Sequence, residues 1–233
     1  MSARPQTAVS ARTIGDSMRL LVTGGSGVLG RAVAPVARAA GRELFAPSSG
    51  ELDLFDPVDV ARATRGVDAV LHLATRIQPL DQIGNPDAWR HNDRLRADAS
   101  RILVDAALAA GVATYVQPTV TFVYPGEGPV SEDTPITEVS AILRSALIAE
   151  RETERFARSG RRGVVLRLGL LDGPGTGHEA PVRALGATLH VADAARALLA
   201  ALTLPSGIYN VCRDGERVSN TRFTDTAGWH PRY

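Results

Sequence analysis

The chain has 233 residues, with 26 Lys+Arg against 25 Asp+Glu and a net charge of +1, so its composition imposes no basic face of the kind nucleic acid requires. A single cysteine, Cys212, excludes an intrachain disulfide and a thiol cluster for metal, and it suits a reducing, cytoplasmic setting. No apolar run is long enough to cross a membrane, and the polar stretch 1–17, broken by Pro5, reads as a disordered leader.

From residue 18 onward the pattern alternates strand and helix. Arg19 to Val22 reads as a short apolar strand running into Thr23-Gly24-Gly25-Ser26-Gly27-Val28-Leu29-Gly30. Arg31 to Ala40 carries apolar residues at helical spacing and stops at Gly41, as a helix with a C-terminal glycine would. A second strand is expected over Arg42 to Ala46 and a third over Glu51 to Leu54, before Asp56-Pro57 caps and opens a helix. Val67 to Leu73 reads as the fourth strand, Asn92 to Ala110 as a crossover helix, and Val112 to Val116 as the fifth strand. Thr119 to Tyr124 leads into a turn-rich loop, followed by a helix over about Ser140 to Arg158 and a sixth strand over Gly163 to Leu168. Beyond Gly169 the pattern loosens: Val191 to Leu202 reads as an Ala-rich helix, Ile208 to Val211 as a strand, and Arg222 to Tyr233 as a surface tail.

This alternation predicts an α/β fold of the Rossmann type, a doubly wound parallel sheet covered on both faces, with a small, reduced C-terminal substrate or lid region. The expected division is 18–175 for the nucleotide-binding domain and 176–233 for the small region interleaved with it. Strand, glycine turn and helix together suit a dinucleotide. Gly24 permits the sharp turn, Gly27 admits the phosphates, and Gly30 lets the helix lie close on the strand, with the amides near Val28 and Leu29 facing the phosphates. At the end of the second strand Ser48 and Ser49 carry no repelling charge, which favours NADP, with NAD possible. Asp53 and Leu54 are placed at the adenine.

The motifs taken together resemble the extended short-chain dehydrogenase/reductase superfamily, the NAD-dependent epimerase/dehydratase group. The turn Thr23 to Gly30 is similar to the family's TGxxGxxG, His72-Leu73-Ala74-Thr75 to its HLAA, and Asn92 to the Asn that opens the following helix. Leu166 to Gly175 resembles the LRxxxxYGPG segment, and His190 to Ala195 resembles HVxDxA. The resemblance implies cofactor contacts from Leu73, Ala74, Thr75 and Leu168, and a family dimer through the helices 92–110 and 140–158, while a monomer remains open.

The family's catalytic residues are missing. Its YxxxK, aligned on Ala149-Glu150, falls on Ile142 and Ala146, and the chain contains no lysine at all. Its Ser/Thr position falls on Val120, with hydroxyls on either side at Thr119 and Thr121, of which Thr119 ends the strand and is preferred. His178, in a loop past the glycine-rich Gly173-Pro174-Gly175, is a candidate acid. Only 176–189 separate this segment from HVxDxA, too few for a sugar-nucleotide pocket. The expectation is an NAD(P)H-dependent ketoreductase acting on a small secondary metabolite, such as an aromatic polyketide, with the substrate's own hydroxyl or a water completing protonation. The alternatives are an NAD(P)-binding protein without catalysis and a non-redox enzyme on the same scaffold. No metal site is expected.

Overall fold

The computed structural model describes residues 17–79, 82 and 84–233. The expected leader therefore lies almost wholly outside the described residues, as do three positions of the loop before Pro86.

The chain order is β1 (Arg19–Thr23), α1 (Val28–Ala39), β2 (Glu43–Phe45), α2 (Pro57–Ala63), β3 (Ala69–His72) and α3 (Pro86–Arg94). A π-helical turn, Leu95–Ala99, joins α3 to α4 (Ser100–Ala110), followed by β4 (Thr114–Val120), α5 (Arg144–Arg158) and β5 (Arg162–Leu168). The C-terminal part adds β6 (Leu170–Asp172), β7 (Thr188–His190), α6 (Val191–Ala200), β8 (Gly207–Val211) and α7 (Thr221–Ala227).

Six strands form one parallel sheet in the order β2-β1-β3-β4-β5-β8, and β6 pairs with β7 in a separate parallel ribbon. The chain leaves β1 for β2 on one side and then returns to β3 on the other. This reversal opens a crevice at the carboxyl ends of β1 and β3, the place where doubly wound sheets hold ligands.

Alternation along the strands feeds two cores. Leu20, Val22, Ala69, Leu71 and Val116 point to the face covered by α1 and α6, while Leu21, Val70 and Tyr115 point to the face covered by α2, α4 and α5. Pro118 sits inside β4, an unusual place for a residue without an N–H. It is tolerated because the β3 pairing ends at Val116, and the Gln117 amide bridges the gap by donating to the carbonyls of Pro118 and His72, 3.2 and 3.5 Å.

Several expectations need correction. Glu51 to Leu54 is a turn, held by the Asp53 carboxylate accepting from the Phe55 amide at 2.8 Å, with Leu52 buried in the core and Leu54 packed half-buried against it. The helix placed at Asn92 begins at Pro86, capped by Asn85, and the helix placed at Ser140 begins at Arg144 after a short 3-10 turn. The tail is not superficial. It contains α7, and Phe223 and Trp229 are buried against α6 and β8. The Asp193 carboxylate accepts from the amides of Arg232 and Tyr233 and closes the end of the chain onto α6.

Candidate active site

The glycine turn is shaped by contacts that exclude side chains. A Cβ on Gly24, whose φ is +70°, would lie 2.7 Å from the backbone of Ala74, and one on Gly30 would lie 2.5 Å from the Gly24 carbonyl and the Gly25 Cα. The turn therefore locks α1 onto the end of β1 and brings the end of β3 alongside. The Gly27 amide donates back to the Gly24 carbonyl at 2.9 Å.

Helix α1 differs from its neighbours in what meets its N-terminus. Asp56 caps α2 and Asn85 caps α3 through side-chain acceptors, whereas Gly27 precedes α1 with no side chain to cap it and no acid follows in the first turn. The amides at the head of α1, Val28 and Leu29 among them, are thus left to an anion, which is what a dinucleotide's diphosphate supplies. Across the crevice mouth the Arg31 guanidinium hydrogen-bonds the Ser26 carbonyl and borders Gly175 of the loop after β6. A nicotinamide dinucleotide fits this cradle. Gly24, Gly27, Val28, Leu29 and Gly30 are the residues that would hold its diphosphate, and Leu73, Ala74 and Thr75 follow β3 at the same edge of the sheet. Leu168, at the end of β5, is buried in the core.

His72 fixes the floor of the crevice. Its Nε2 lies 3.1 Å from the Leu95 carbonyl, which can only accept, so Nε2 carries the proton and Nδ1 accepts from the Thr23 hydroxyl at 2.6 Å. Thr23 in turn accepts from the Ala74 amide at 3.4 Å. One relay therefore joins β1, β3 and the π turn. Burial pushes the His72 imidazole down to about 4 from 6.5, so it stays neutral in the folded chain. As pH falls below 6.5 only the unfolded chain gains this proton, so stability is lost between pH 6.5 and 4, by about 3 kcal/mol at the lower limit. Denaturant unfolding across that range should show this slope in the wild type and a smaller one in His72→Gln.

At the outer end of the crevice, Ser48 is not free. Its amide and hydroxyl both donate to one oxygen of Glu51, at 2.9 and 2.7 Å, and these bonds hold the Glu51 carboxyl below its ordinary value. A charge therefore stands at the end of β2, where Ser48 and Ser49 alone suggested none. Asp53 is exposed, and one of its oxygens is already used in the Phe55 turn. Leu54 is half-buried, against the α2 side of the core.

The two threonines separate clearly. Thr119, 3% exposed, donates to Glu150 Oε1 at 2.8 Å and faces α5, so its proton is committed to a carboxylate inside the protein. Glu150 also takes Arg167 Nε and Nη2 at 2.9 and 2.6 Å, and Arg167 Nη1 donates to the Tyr124 hydroxyl, which donates to Asn210. Nothing local in the sequence marks this network, because its members come from β4, α5, β5 and β8. Thr121, in a single 3-10 turn after β4, is buried, and its hydroxyl has no partner among the described residues. His178 is half-buried, with its carbonyl accepting from the Gly173 amide and the Thr176 hydroxyl; its ring has no partner among the described residues. Ala146 is fully buried on α5, and Ile142 lies in the turn before it.

A family model described as the NAD dependent epimerase/dehydratase family matches residues 20–189. The chain belongs to this family. Among solved structures, this epimerase/dehydratase chain is similar to a short-chain dehydrogenase/reductase superfamily protein from Agrobacterium tumefaciens with bound NAD. The TM-score is 0.76 at 22% identity, covering 92% of this chain and 93% of that one. It is equally similar to RMD from Pseudomonas aeruginosa complexed with NADPH, with a TM-score of 0.76 at 22% identity and coverage of 93% and 94%. These likenesses establish the shared fold. A curated relative from Streptomyces sp, "3-diazoavenalumate denitrifying reductase", is 32% identical over 179 residues, which cover 69% of this chain. This family member spans 59% of that relative's length. Among the described residues no helix is long and apolar enough to cross a membrane, and no group of His, Cys, Asp or Glu could hold a metal.

Proposed function

We propose that the chain is an NAD(P)H-dependent reductase that works without a protein acid. The observation carrying this reading is an intact, uncapped nucleotide turn in a chain that contains no lysine, and the family resemblance aligns its Tyr and Lys with Ile142 and Ala146. When bound, the reduced nicotinamide supplies a hydride. The chain's own residues hold the cofactor at the head of α1, exclude water with the apolar end of β3, and orient the acceptor. Thr121 is the hydroxyl available for that last task, since Thr119 serves Glu150.

Two acceptor classes suit a site of this kind. A ketone beside a phenol can take its proton from its own hydroxyl or from water, as would suit an aromatic polyketide or a related secondary metabolite. An aryl diazonium needs no proton. A carbon–hydrogen bond forms from the hydride, the carbon–nitrogen bond breaks, and its electron pair leaves with N2. The name of the Streptomyces relative favours the second class. For the coenzyme, uncharged Ser48 and Ser49 support NADPH, whereas the Glu51 carboxylate beside them supports NADH, because it accepts from ribose hydroxyls and repels an added phosphate.

The test follows loss of reduced-nicotinamide absorbance with hydroxyaryl diazonium salts and hydroxyaryl ketones, using NADH and NADPH in turn. Turnover is expected with the diazonium class and, at most slowly, with ketones. Thr121→Val should lower the rate more than Thr119→Val, and kcat should show no step at the imidazole range. A protein that binds cofactor yet oxidises none with either class would contradict the reading.

A further inference from the structure

Among the described residues, seven side-chain polar atoms are wholly shielded from solvent and lack a hydrogen-bond partner, and most of them gather in one place. Five of the seven are Trp89 Nε1, Asn92 Nδ2, Asp93 Oδ1, Arg96 Nε and Ser145 Oγ. Residues 89, 92, 93 and 96 follow the i, i+3, i+4, i+7 spacing of one helix face along α3 and the π turn. Ser145 is in the first turn of α5, which packs against that segment and starts with no side-chain cap and no acid. α3 follows β3 and α5 follows β4, so both start from the carboxyl edge of the sheet, and the Leu95 carbonyl meets His72 at the end of β3, which places the cluster at that edge. Asn92 Oδ1 ties it to the end of β3 by accepting from the Arg76 amide at 3.0 Å.

Arg96 is the unusual member. It is 3% exposed, and it has no ion pair or hydrogen bond among the described residues. Asp93 on its own helix and Glu150 on α5 act on it from a distance, and Glu150 is already held by Arg167 and Thr119. A buried, unpaired guanidinium is costly to the folded chain and requires a compensating partner. Four of the five orphaned groups can donate, so the missing partner is rich in acceptors.

We infer that Arg96 anchors the substrate: with Ser145 and Asn92 it binds a carboxylate of the molecule reduced in the crevice. The planar guanidinium suits a carboxylate in particular, because it can grip both oxygens at once. Trp89 offers its indole beside them to the flat part of the same molecule. This subsite rests on the reductase reading for its purpose, but its ligand chemistry can be tested without turnover.

The experiment is a calorimetric titration of the full chain, saturated with oxidised cofactor, with benzoate and cinnamate and with the corresponding amides as neutral probes. The acids should bind and the amides should bind at least tenfold more weakly. Arg96→Met should lose roughly ten- to hundredfold in affinity for the acids, the scale of a hydrogen bond to a charged group, with cofactor affinity unchanged. Its melting temperature should rise, because the unpaired charge is gone from the interior. Arg96→Lys should recover part of the acid binding. No binding of either acid, equal binding of acid and amide, or an Arg96→Met variant that binds as the wild type does would overturn the inference. If the acids bind through Arg96 while no acceptor oxidises the cofactor, the reductase reading fails and the subsite stands. Turnover that is indifferent to Arg96→Met has the opposite meaning.

Discussion

Replacing Glu150 with alanine should lower the melting temperature by about 10 °C, the equivalent of about 3–5 kcal/mol for leaving one member of a buried pair uncompensated in a domain of this size. Both side chains of the Glu150 and Arg167 pair are 5% exposed, and the carboxylate accepts three hydrogen bonds, two from Arg167 and one from Thr119. Its loss would strand the guanidinium between β4, β5 and α5, with the Tyr124 hydroxyl as its one remaining hydrogen-bond partner among the described residues. The pair is a demand on the fold as much as a support for it. Thermal unfolding of the double variant Glu150→Met/Arg167→Met should therefore show a smaller loss than Glu150→Ala alone. A double variant that loses more than either single one would mean that the charges contribute net stability.

The second large effect is at the turn. Gly24→Ala places a methyl group 2.7 Å from the Ala74 backbone at a φ of +70°, and Gly30→Ala places one 2.5 Å from the Gly24 carbonyl. Neither neighbour is a flexible side chain, so the turn or the β1 and β3 ends must move. The left-handed strain and overpacking together cost Gly24→Ala about 2–4 kcal/mol. Cofactor affinity should fall by at least about a hundredfold in both variants, since losing two charge-assisted hydrogen bonds to the diphosphate at roughly 1.5 kcal/mol each is enough for that. Fluorescence titration with reduced cofactor measures this directly, and near-native affinity in Gly30→Ala would mean that the diphosphate does not sit at the head of α1.

Features that depend on neighbours in the chain were legible in the sequence. The Asp56 cap is an example: its carboxylate accepts from the Val58 amide at 2.8 Å, with Pro57 in the first turn as its spacing implied. The Gly41 stop is another, with φ +69° and its amide donating to the Arg38 carbonyl at 2.9 Å. Glu51 to Leu54 misled because a buried Leu52 between two polar residues imitates a strand, while the Asp53 side chain ties the backbone into a turn. The tail misled because Gly228 ends α7 and interrupts any helical period between Phe223 and Trp229, which meet with ring centroids 5.2 Å apart.

At the site, the glycine turn was readable because each glycine answers to a local steric need. Thr119 reads as the available hydroxyl because it ends a strand, but that hydroxyl is claimed by Glu150, 31 positions later. Ser48 and Ser49 read as an uncharged pair in the sequence, but the turn folds the Glu51 carboxylate back onto Ser48. Arg96 gave no signal at all: its burial depends on the π turn, whose Leu95 carbonyl meets His72 23 residues earlier in the chain.

In the proposed reaction the crevice passes a hydride directly from cofactor to acceptor with no protein acid taking part. Cofactor carrying deuterium at the transferred C4 position, incubated with a hydroxyaryl diazonium acceptor in ordinary water, measures this by mass spectrometry of the product. One deuterium on the carbon that lost nitrogen, together with one N2 released per cofactor oxidised, is the predicted result. A product carrying only solvent hydrogen at that carbon, or cofactor left unoxidised while the acceptor is consumed, would rule out direct hydride transfer.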